Sequence, residues 1–231
     1  DVCSSDLLIV GSSFGVMRFA TENEVYLWPI LFSLLGTWAY LHYLTESKSY
    51  LPLLGGLAMS LACLYHQIHG IWWLGLLLGF GRAERKAMVG FLLPALLIPV
   101  AYVAVLKGDL SQSLNWENLQ LFVLRAFYQG SAQPIPGFKT LLLTPINFFR
   151  TFVQIHGIVF AMLLKYVWSW GIIILGLSAA FMAFLNRKGS SRSQKRHKSN
   201  FTLLGIMFGH LALATWAAGN AEFMVMMPFL I

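Results

Sequence analysis

The chain has 231 residues, of which 58% are hydrophobic and 11% charged, with a mean hydropathy of +0.68 and a formal net charge of +7. Soluble globular domains carry about 25% charged residues, so this composition excludes a soluble domain, a disordered chain, a collagen-like repeat, a disulfide scaffold and a nucleic-acid module. It predicts an all-α fold, a polytopic transmembrane helix bundle.

Both ends of the sequence look cut. Residues 1–6 read like a translated sequencing adapter and are set aside as a scar. Residues 7–231 are expected to form a single transmembrane helical domain that is truncated at both ends. Cys63 is then the one native cysteine and lies in an apolar run, which leaves no disulfide or thiolate metal site.

A membrane-spanning helix needs about 20 mostly apolar residues, and about six to seven such spans are predicted. Leu51–Phe80 is uncharged throughout and too long for one upright helix, so we expect two short helices that meet near His66–Gly70. Pro94 and Pro99 are expected to kink the Ala87–Leu106 span. In chain order the predicted spans are Leu7–Met17, Val25–Leu44, the two halves of Leu51–Phe80, Ala87–Leu106, Tyr166–Leu185 and Phe201–Ala218.

Two basic loops set the predicted orientation. Arg187–Lys198 holds six cations and no acid, and Gly81–Lys86 holds three cations against one acid. Both are expected on the cytoplasmic side. Lys107–Lys165 is expected on the outer side, so an odd number of membrane crossings must separate it from the first of these loops. The predicted span Tyr166–Leu185 already supplies one crossing. Ile146–Leu164 is therefore predicted not to cross the membrane but to be an interfacial amphipathic helix. A spanning helix whose polar side faces the bundle is the alternative. The polar stripe comprises Asn147, Arg150, Thr151 and Gln154.

With these spans, three separate turns carry polar side chains to the outer side of the membrane. Ionisable groups near a membrane are costly to bury, so they become candidate site residues. Helix capping is the alternative role for the acids, and a hydrogen-bonded helix end is the alternative role for the histidines. The candidates are Glu22 and Glu24, then His66, Gln67 and His69, then Asn220 and Glu222.

Three segments follow one another in a recognisable order. A small-residue patch, Gly11–Gly15, runs into Arg18, after which Glu22 and Glu24 open the Val25 helix. The other two segments are Leu53–Ala58 running into the polar turn Tyr65–Gln67, and Gly219–Phe223 before Pro228. This order resembles that of multispanning polyprenyl-phosphate-sugar glycosyltransferases with the GT-C fold, such as the dolichyl-phosphate-mannose protein mannosyltransferases.

The resemblance implies a glycosyltransferase of the cell envelope, multi-pass in the bacterial plasma (inner) membrane. It would transfer a sugar from a polyprenyl phosphate to an acceptor at the outer face. Such a displacement needs a carboxylate base for the acceptor hydroxyl, and cations or a divalent metal for the leaving phosphate. The resemblance implies catalytic roles for Glu22 and Glu24 and substrate-binding roles for Arg18, His66, Gln67, His69, Asn220 and Glu222.

The partners implied are the polyprenyl-phosphate sugar and membrane lipids, without nucleic acid. The family's first-loop acid would lie upstream of Leu7, so the sequence leaves open whether the chain is an enzyme. A transporter or flippase of lipid-linked substrates is one alternative, and a non-catalytic membrane subunit of glycan assembly is the other.

Overall fold

A computed structural model of the chain describes residues 10, 12, 13, 16, 27–108, 110, 113–129, 137–152, 165, 166, 171, 194–217 and 221–230. Throughout these residues the regular elements are helices and no strand occurs, which confirms the predicted all-α class for this part of the chain. The helices are α1 Leu27–Glu46, α2 Tyr50–Tyr65, α3 His69–Gly79, α4 Arg85–Leu92, α5 Leu97–Gly108, α6 Trp116–Gln129, α7 Phe138–Phe152 and α8 Gln194–Trp216. Short 3-10 helices occupy Arg82–Glu84, Leu93–Leu96, Ala221–Met224 and Met227–Phe229.

Prolines mark where several helices begin. Pro29, Pro52 and Pro99 lie in the first turns of α1, α2 and α5, where an amide N–H has no partner within the helix and its loss costs little. Pro94 lies in the 3-10 helix that joins α4 to α5. The long apolar stretch is therefore interrupted at Pro94, as predicted, whereas Pro99 opens the second half.

The uncharged run Leu51–Phe80 divides into α2 and α3, as predicted. The chain leaves α2 at His66, whose N–H donates to the Ala62 carbonyl at 2.9 Å. It turns through Gln67 and Ile68, and the His69 N–H donates to the His66 carbonyl at 3.1 Å as α3 begins. The break therefore falls where polar side chains interrupt the apolar run.

Contacts between α1 and its neighbours fix the helix directions. α1 is antiparallel to α2, because Phe32 stacks on Tyr65 near the start of one helix and the end of the other, with ring centroids 5.8 Å apart. It is parallel to α3, because Ser33 bonds to His69 whereas Tyr40, two turns later, bonds to the Gly79 carbonyl.

α3 and α8 are antiparallel and closely packed. Trp72 meets His210, and one helical turn further along α3 a Cβ added at Gly75 would lie 2.2 Å from Cγ1 of Ile206. Two turns beyond Trp72, Gly79 faces Thr202. Glycines on α3 therefore allow the two helices to approach closely.

The described bundle thus has two ends. We call the end with the His66–Ile68 turn, the start of α1 and the end of α8 the histidine end. The opposite end, with the loop Phe80–Arg85 and Lys198, is the basic end. There Glu84 accepts hydrogen bonds from Lys198 Nζ and from the Gly81 N–H, the latter at 2.6 Å. Lys198, the last residue of one predicted basic loop, lies in the first turns of α8 and contacts the other predicted basic loop at this end, while residues 187–193 lie outside the described residues.

The number of membrane spans remains a prediction. Among the described residues, one helical stretch, the 24-residue Arg85–Gly108, is long and apolar enough to cross a membrane by length and composition. α2 and α3 are apolar but shorter. The predicted spans Leu7–Met17 and Tyr166–Leu185 lie largely outside the described residues, and residues 1–6, which were predicted to be a scar, lie wholly outside them.

α7 differs from the predicted interfacial helix. It begins at Phe138 rather than Ile146, and within the described residues it ends at Phe152. Its threonines are buried, whereas several of its large apolar side chains are exposed. Within the predicted polar stripe, Thr151 is buried, Asn147 half-buried and Arg150 exposed, so the choice between an interfacial and a spanning helix remains a prediction. The buried side chains are Thr140, Thr144 and Thr151, and the exposed ones are Phe138, Leu141, Leu142, Ile146 and Phe149. Gln154 lies outside the described residues.

Candidate functional site

Half of the predicted site residues lie outside the described residues: Arg18, Glu22, Glu24 and Asn220. Glu222 is described by its backbone, in the 3-10 helix Ala221–Met224 that follows α8. Met224 of the same 3-10 helix shares a buried apolar cluster with Ala214, near the end of α8. The segment of Glu222 therefore lies at the end of the bundle that also holds the turn of His66.

The structure gives the three residues of the predicted polar turn three different environments. His66 is half-buried at the end of α2, and its Nδ1 accepts the Ile68 N–H at 3.4 Å. Gln67 is exposed. His69 is completely buried. His66 is therefore at least a hydrogen-bonded residue at a helix end, which was the alternative to a substrate-binding role. The substrate-binding roles of all three residues remain predictions.

His69 is held inside the bundle by a hydrogen bond to α1. Its Nδ1 lies 2.6 Å from Oγ of Ser33, and both side chains are fully buried. Its ring stacks on Trp72, with centroids 6.1 Å apart and an interplanar angle of 11°. Within the described residues its Nε2 has no hydrogen-bond partner. The serine therefore orients the ring and leaves the second nitrogen facing the core.

Trp72 is fixed by the same helix. Its indole N–H donates to Oγ1 of Thr37 at 2.9 Å, and that hydroxyl donates in turn to the Ser33 carbonyl at 2.8 Å. The indole is completely buried. Two hydroxyl side chains one turn apart on α1 thus position two aromatic rings on α3.

His210 completes the arrangement from α8. Its ring meets Trp72 edge to face, with centroids 6.2 Å apart and an interplanar angle of 78°. The side chain is completely buried, and neither ring nitrogen has a hydrogen-bond partner in the part of the chain that is described. We call Ser33, Thr37, His69, Trp72 and His210 the buried histidine cluster.

Three members of the buried histidine cluster, Ser33, Thr37 and His210, were not predicted from the sequence. The signal for His210 was present, because a histidine inside the predicted span Phe201–Ala218 is an ionisable residue at membrane depth. Ser33 and Thr37 give no such signal, since hydroxyl side chains are common in membrane helices.

The chemistry available in the cluster is that of imidazole and hydroxyl groups. An imidazole donates from one nitrogen and accepts at the other, and it exchanges protons readily. Among the described residues no group of three or more His, Cys, Asp or Glu side chains is placed to hold a metal ion. The predicted carboxylate bases, Glu22 and Glu24, lie outside that part of the chain.

The basic end carries acids that are paired with cations. Lys48 lies 2.7 Å from Glu46, and His42 lies 3.0 Å from the same carboxylate. The hydrogen bond from Lys48, followed by that from His42, holds the pKa of Glu46 below its usual value. Glu84 is paired with Lys198. Because Arg85 and Lys86 are exposed at the same end, cations outnumber acids among the described residues there.

Comparison of the chain with protein-family models, with curated proteins and with solved structures gives no match.

Proposed function

We propose that this chain is a multi-pass integral membrane protein. The observation that carries the proposal is the inverted distribution of its side chains. On α1, the large apolar residues Trp28 and Trp38 are 57% and 52% exposed, while Ser33 and Thr37 are buried. On α8, Phe201 is 80% exposed while His210 is buried. Water disfavours such apolar patches, whereas lipid tails accept them and favour small and polar residues between helices.

The path of the chain supports several crossings. α1, α2, α3 and the α4–α5 stretch run alternately between the histidine end and the basic end, which is the pattern of successive membrane spans. Because cationic loops stay in the cytoplasm, we assign the basic end to the cytoplasmic side of a bacterial plasma (inner) membrane. The histidine end then faces outwards.

For the activity, we propose transfer of a sugar from a polyprenyl phosphate to an acceptor at the histidine end. The resemblance of the sequence supports this, and so does the placement of the His66 turn and the Glu222 segment at the same end. Glu22 or Glu24 would deprotonate the acceptor hydroxyl, and Arg18 with His66 would stabilise the leaving phosphate. The buried histidine cluster lies beneath this site.

The test is a transfer assay on the full chain in lipid nanodiscs with a polyprenyl-phosphate sugar. If Glu24 is the base, Glu24→Gln should lower turnover by about 10²-fold or more. Glu117→Gln is the matched control, because Glu117 is an exposed acid on α6. Absence of transfer by the wild type would refute the enzyme. Wild-type turnover in both Glu22→Gln and Glu24→Gln would reduce these acids to helix caps.

One observation favours the alternative of a lipid-linked-substrate transporter. Discontinuous helices are typical of transporters, and here a 3-10 turn at Leu93–Leu96 interrupts the α-helical geometry of the α4–α5 stretch. Movement of a fluorescent lipid-linked sugar between the leaflets of a liposome, without any acceptor, would distinguish this function from glycosyl transfer.

A further inference from the structure

Polar side chains line the interface of α1, α3 and α8 along its length. On α1 they lie at Ser33, Thr37 and Tyr40, one helical turn apart. The face that α8 turns towards this interface carries Thr202 and His210, separated by the apolar Ile206. Burying polar groups in an apolar bundle is costly unless they bind one another or a ligand. Such an arrangement in one interface therefore calls for a functional explanation.

The outer half of this interface contains three imidazoles. The ring of His66, half-buried at the end of the bundle, lies 6.4 Å from that of His69. His69 is linked to Ser33, and His210 lies across Trp72. In the described part of the chain, Nε2 of His69 and both nitrogens of His210 are buried without partners. A proton acceptor at the surface is thus followed by two in the core.

The inner half contains hydroxyl groups that lead to the basic end. The Tyr40 hydroxyl donates to the Gly79 carbonyl at 3.0 Å and lies 3.3 Å from Oγ1 of Thr202. Thr202 donates to the Lys198 carbonyl at 3.0 Å, and the ammonium group of Lys198 binds Glu84. Exchangeable protons therefore lie at intervals towards the basic end. Because both hydroxyls donate to backbone carbonyls, each must rotate away from its carbonyl before it can pass a proton to the next group.

An apolar seal separates the two halves. Ile206 and Leu76 are completely buried at this level. Ile206 fits into a notch on α3, because a Cβ at Gly75 would lie 2.2 Å from its Cγ1. Apolar constrictions of this kind exclude water and interrupt conduction.

We propose that the α1–α3–α8 interface is a proton pathway that Ile206 closes against Gly75. An imidazole takes a proton on one nitrogen and releases the proton of the other, which leaves it neutral in its other tautomer, and rotation of the ring resets it for the next proton. The titratable groups that act on His69 are His210 on α8 and His66 on the turn, and α2 carries Cys63 and Tyr65 near the same end. This activity goes beyond glycosyl transfer and requires no sugar donor.

The test uses the full chain in liposomes that enclose a pH-sensitive dye, with an imposed pH gradient and valinomycin to balance charge. Ile206→Thr keeps the branched shape but adds a hydroxyl, so we expect it to dissipate the gradient faster than the wild type. Adding His69→Phe or His210→Phe to this variant should return the rate to that of protein-free liposomes. Leu106→Ala is the control, because Leu106 is equally buried but lies on α5. It should behave as the wild type.

The proposal is overturned if Ile206→Thr is no faster than protein-free liposomes, or if the double variants keep its rate. It is also overturned if Ile206→Thr passes Na⁺ as fast as protons, since that would be a nonselective leak. Size-exclusion chromatography of each variant shows whether it is folded, and Ile206→Ala serves in place of Ile206→Thr if the latter aggregates. None of these measurements depends on glycosyl transfer.

Discussion

At the scale of single residues, Trp72 is the side chain around which the buried histidine cluster is arranged. It stacks on His69, meets His210 edge to face and donates its N–H to Thr37. In a membrane interior no water replaces a lost partner. The hydrogen bond from the indole N–H to Thr37 therefore has no substitute if the Thr37 hydroxyl is removed.

Replacing Thr37 by valine tests this hydrogen bond. Thr37→Val keeps the shape of the side chain and leaves the Trp72 N–H buried and unpaired, which should lower the free energy of unfolding by about 1–3 kcal/mol. Thr45→Val is the control, because Thr45 is exposed and bonds to carbonyls of its own helix. Denaturant titration in mixed micelles measures both. Equal losses in the two variants would contradict the importance of this hydrogen bond.

At the scale of helices, the closest approach of α2 and α4 depends on the missing side chain of Gly56. A Cβ there would lie 2.1 Å from the carbonyl oxygen of Phe91. That oxygen belongs to a helix backbone and cannot move alone, so an added methyl group must push the two helices apart.

Gly56→Ala should therefore lower the free energy of unfolding by about 1–3 kcal/mol through overpacking. Gly205→Ala is the matched control, since a Cβ at Gly205 would have no neighbour within 4 Å. In that helix interior alanine should raise stability by about 0.5–1 kcal/mol. Opposite signs for the two variants are expected in the same denaturant titration, and equal signs would contradict this packing.

Glu84 links the loop after α3 to the start of α8. Its side chain and that of Lys198 are 25% and 31% exposed, so water and salt weaken their attraction. A double-mutant cycle with Glu84→Gln and Lys198→Met should give a coupling energy below about 1 kcal/mol. The coupling should shrink as salt is added. A larger, salt-independent coupling would mean that the pair is shielded from solvent.

The positions of helix breaks could be predicted from the sequence, whereas the direction of polar faces could not. His66 and Gln67 interrupt an apolar run, and Pro94 lacks an N–H, so both breaks have a local cause. Threonine side chains on one face of α7 are compatible with contact with water and with burial in the protein. Which of the two occurs depends on the elements that pack against α7. His210 was not predicted as a site residue because one imidazole changes the mean hydropathy of an apolar span very little. Pairings such as Ser33 with His69 depend on how α1 and α3 pack.

At the scale of the whole molecule, orientation is the property to measure first. In a background lacking Cys3 and Cys63, we expect an impermeant thiol reagent applied to intact cells to label Ser113→Cys but not Lys86→Cys. Both positions are exposed, Ser113 shortly after α5 leaves the histidine end and Lys86 at the basic end. Labelling of Lys86→Cys alone would reverse the orientation. Labelling of both in sealed cells would contradict a multi-pass arrangement.

The shortness of α3 has an electrical consequence in a membrane. With 11 residues the helix is about 16 Å long, against a hydrocarbon core of about 30 Å. Because its far end is tied to the charged basic end, the proposed orientation would put His69 near the middle of the bilayer. The exposed Gln67 would then lie in a recess, and irregular backbone at such depth is tolerated where protein covers it or water fills the space. A water-filled recess would carry the outside potential down to His69. Most of the membrane voltage would then fall along α3. The electrical energy of a unit charge would change by about 2.3 kcal/mol per 100 mV as the charge moves from His69 to Lys198.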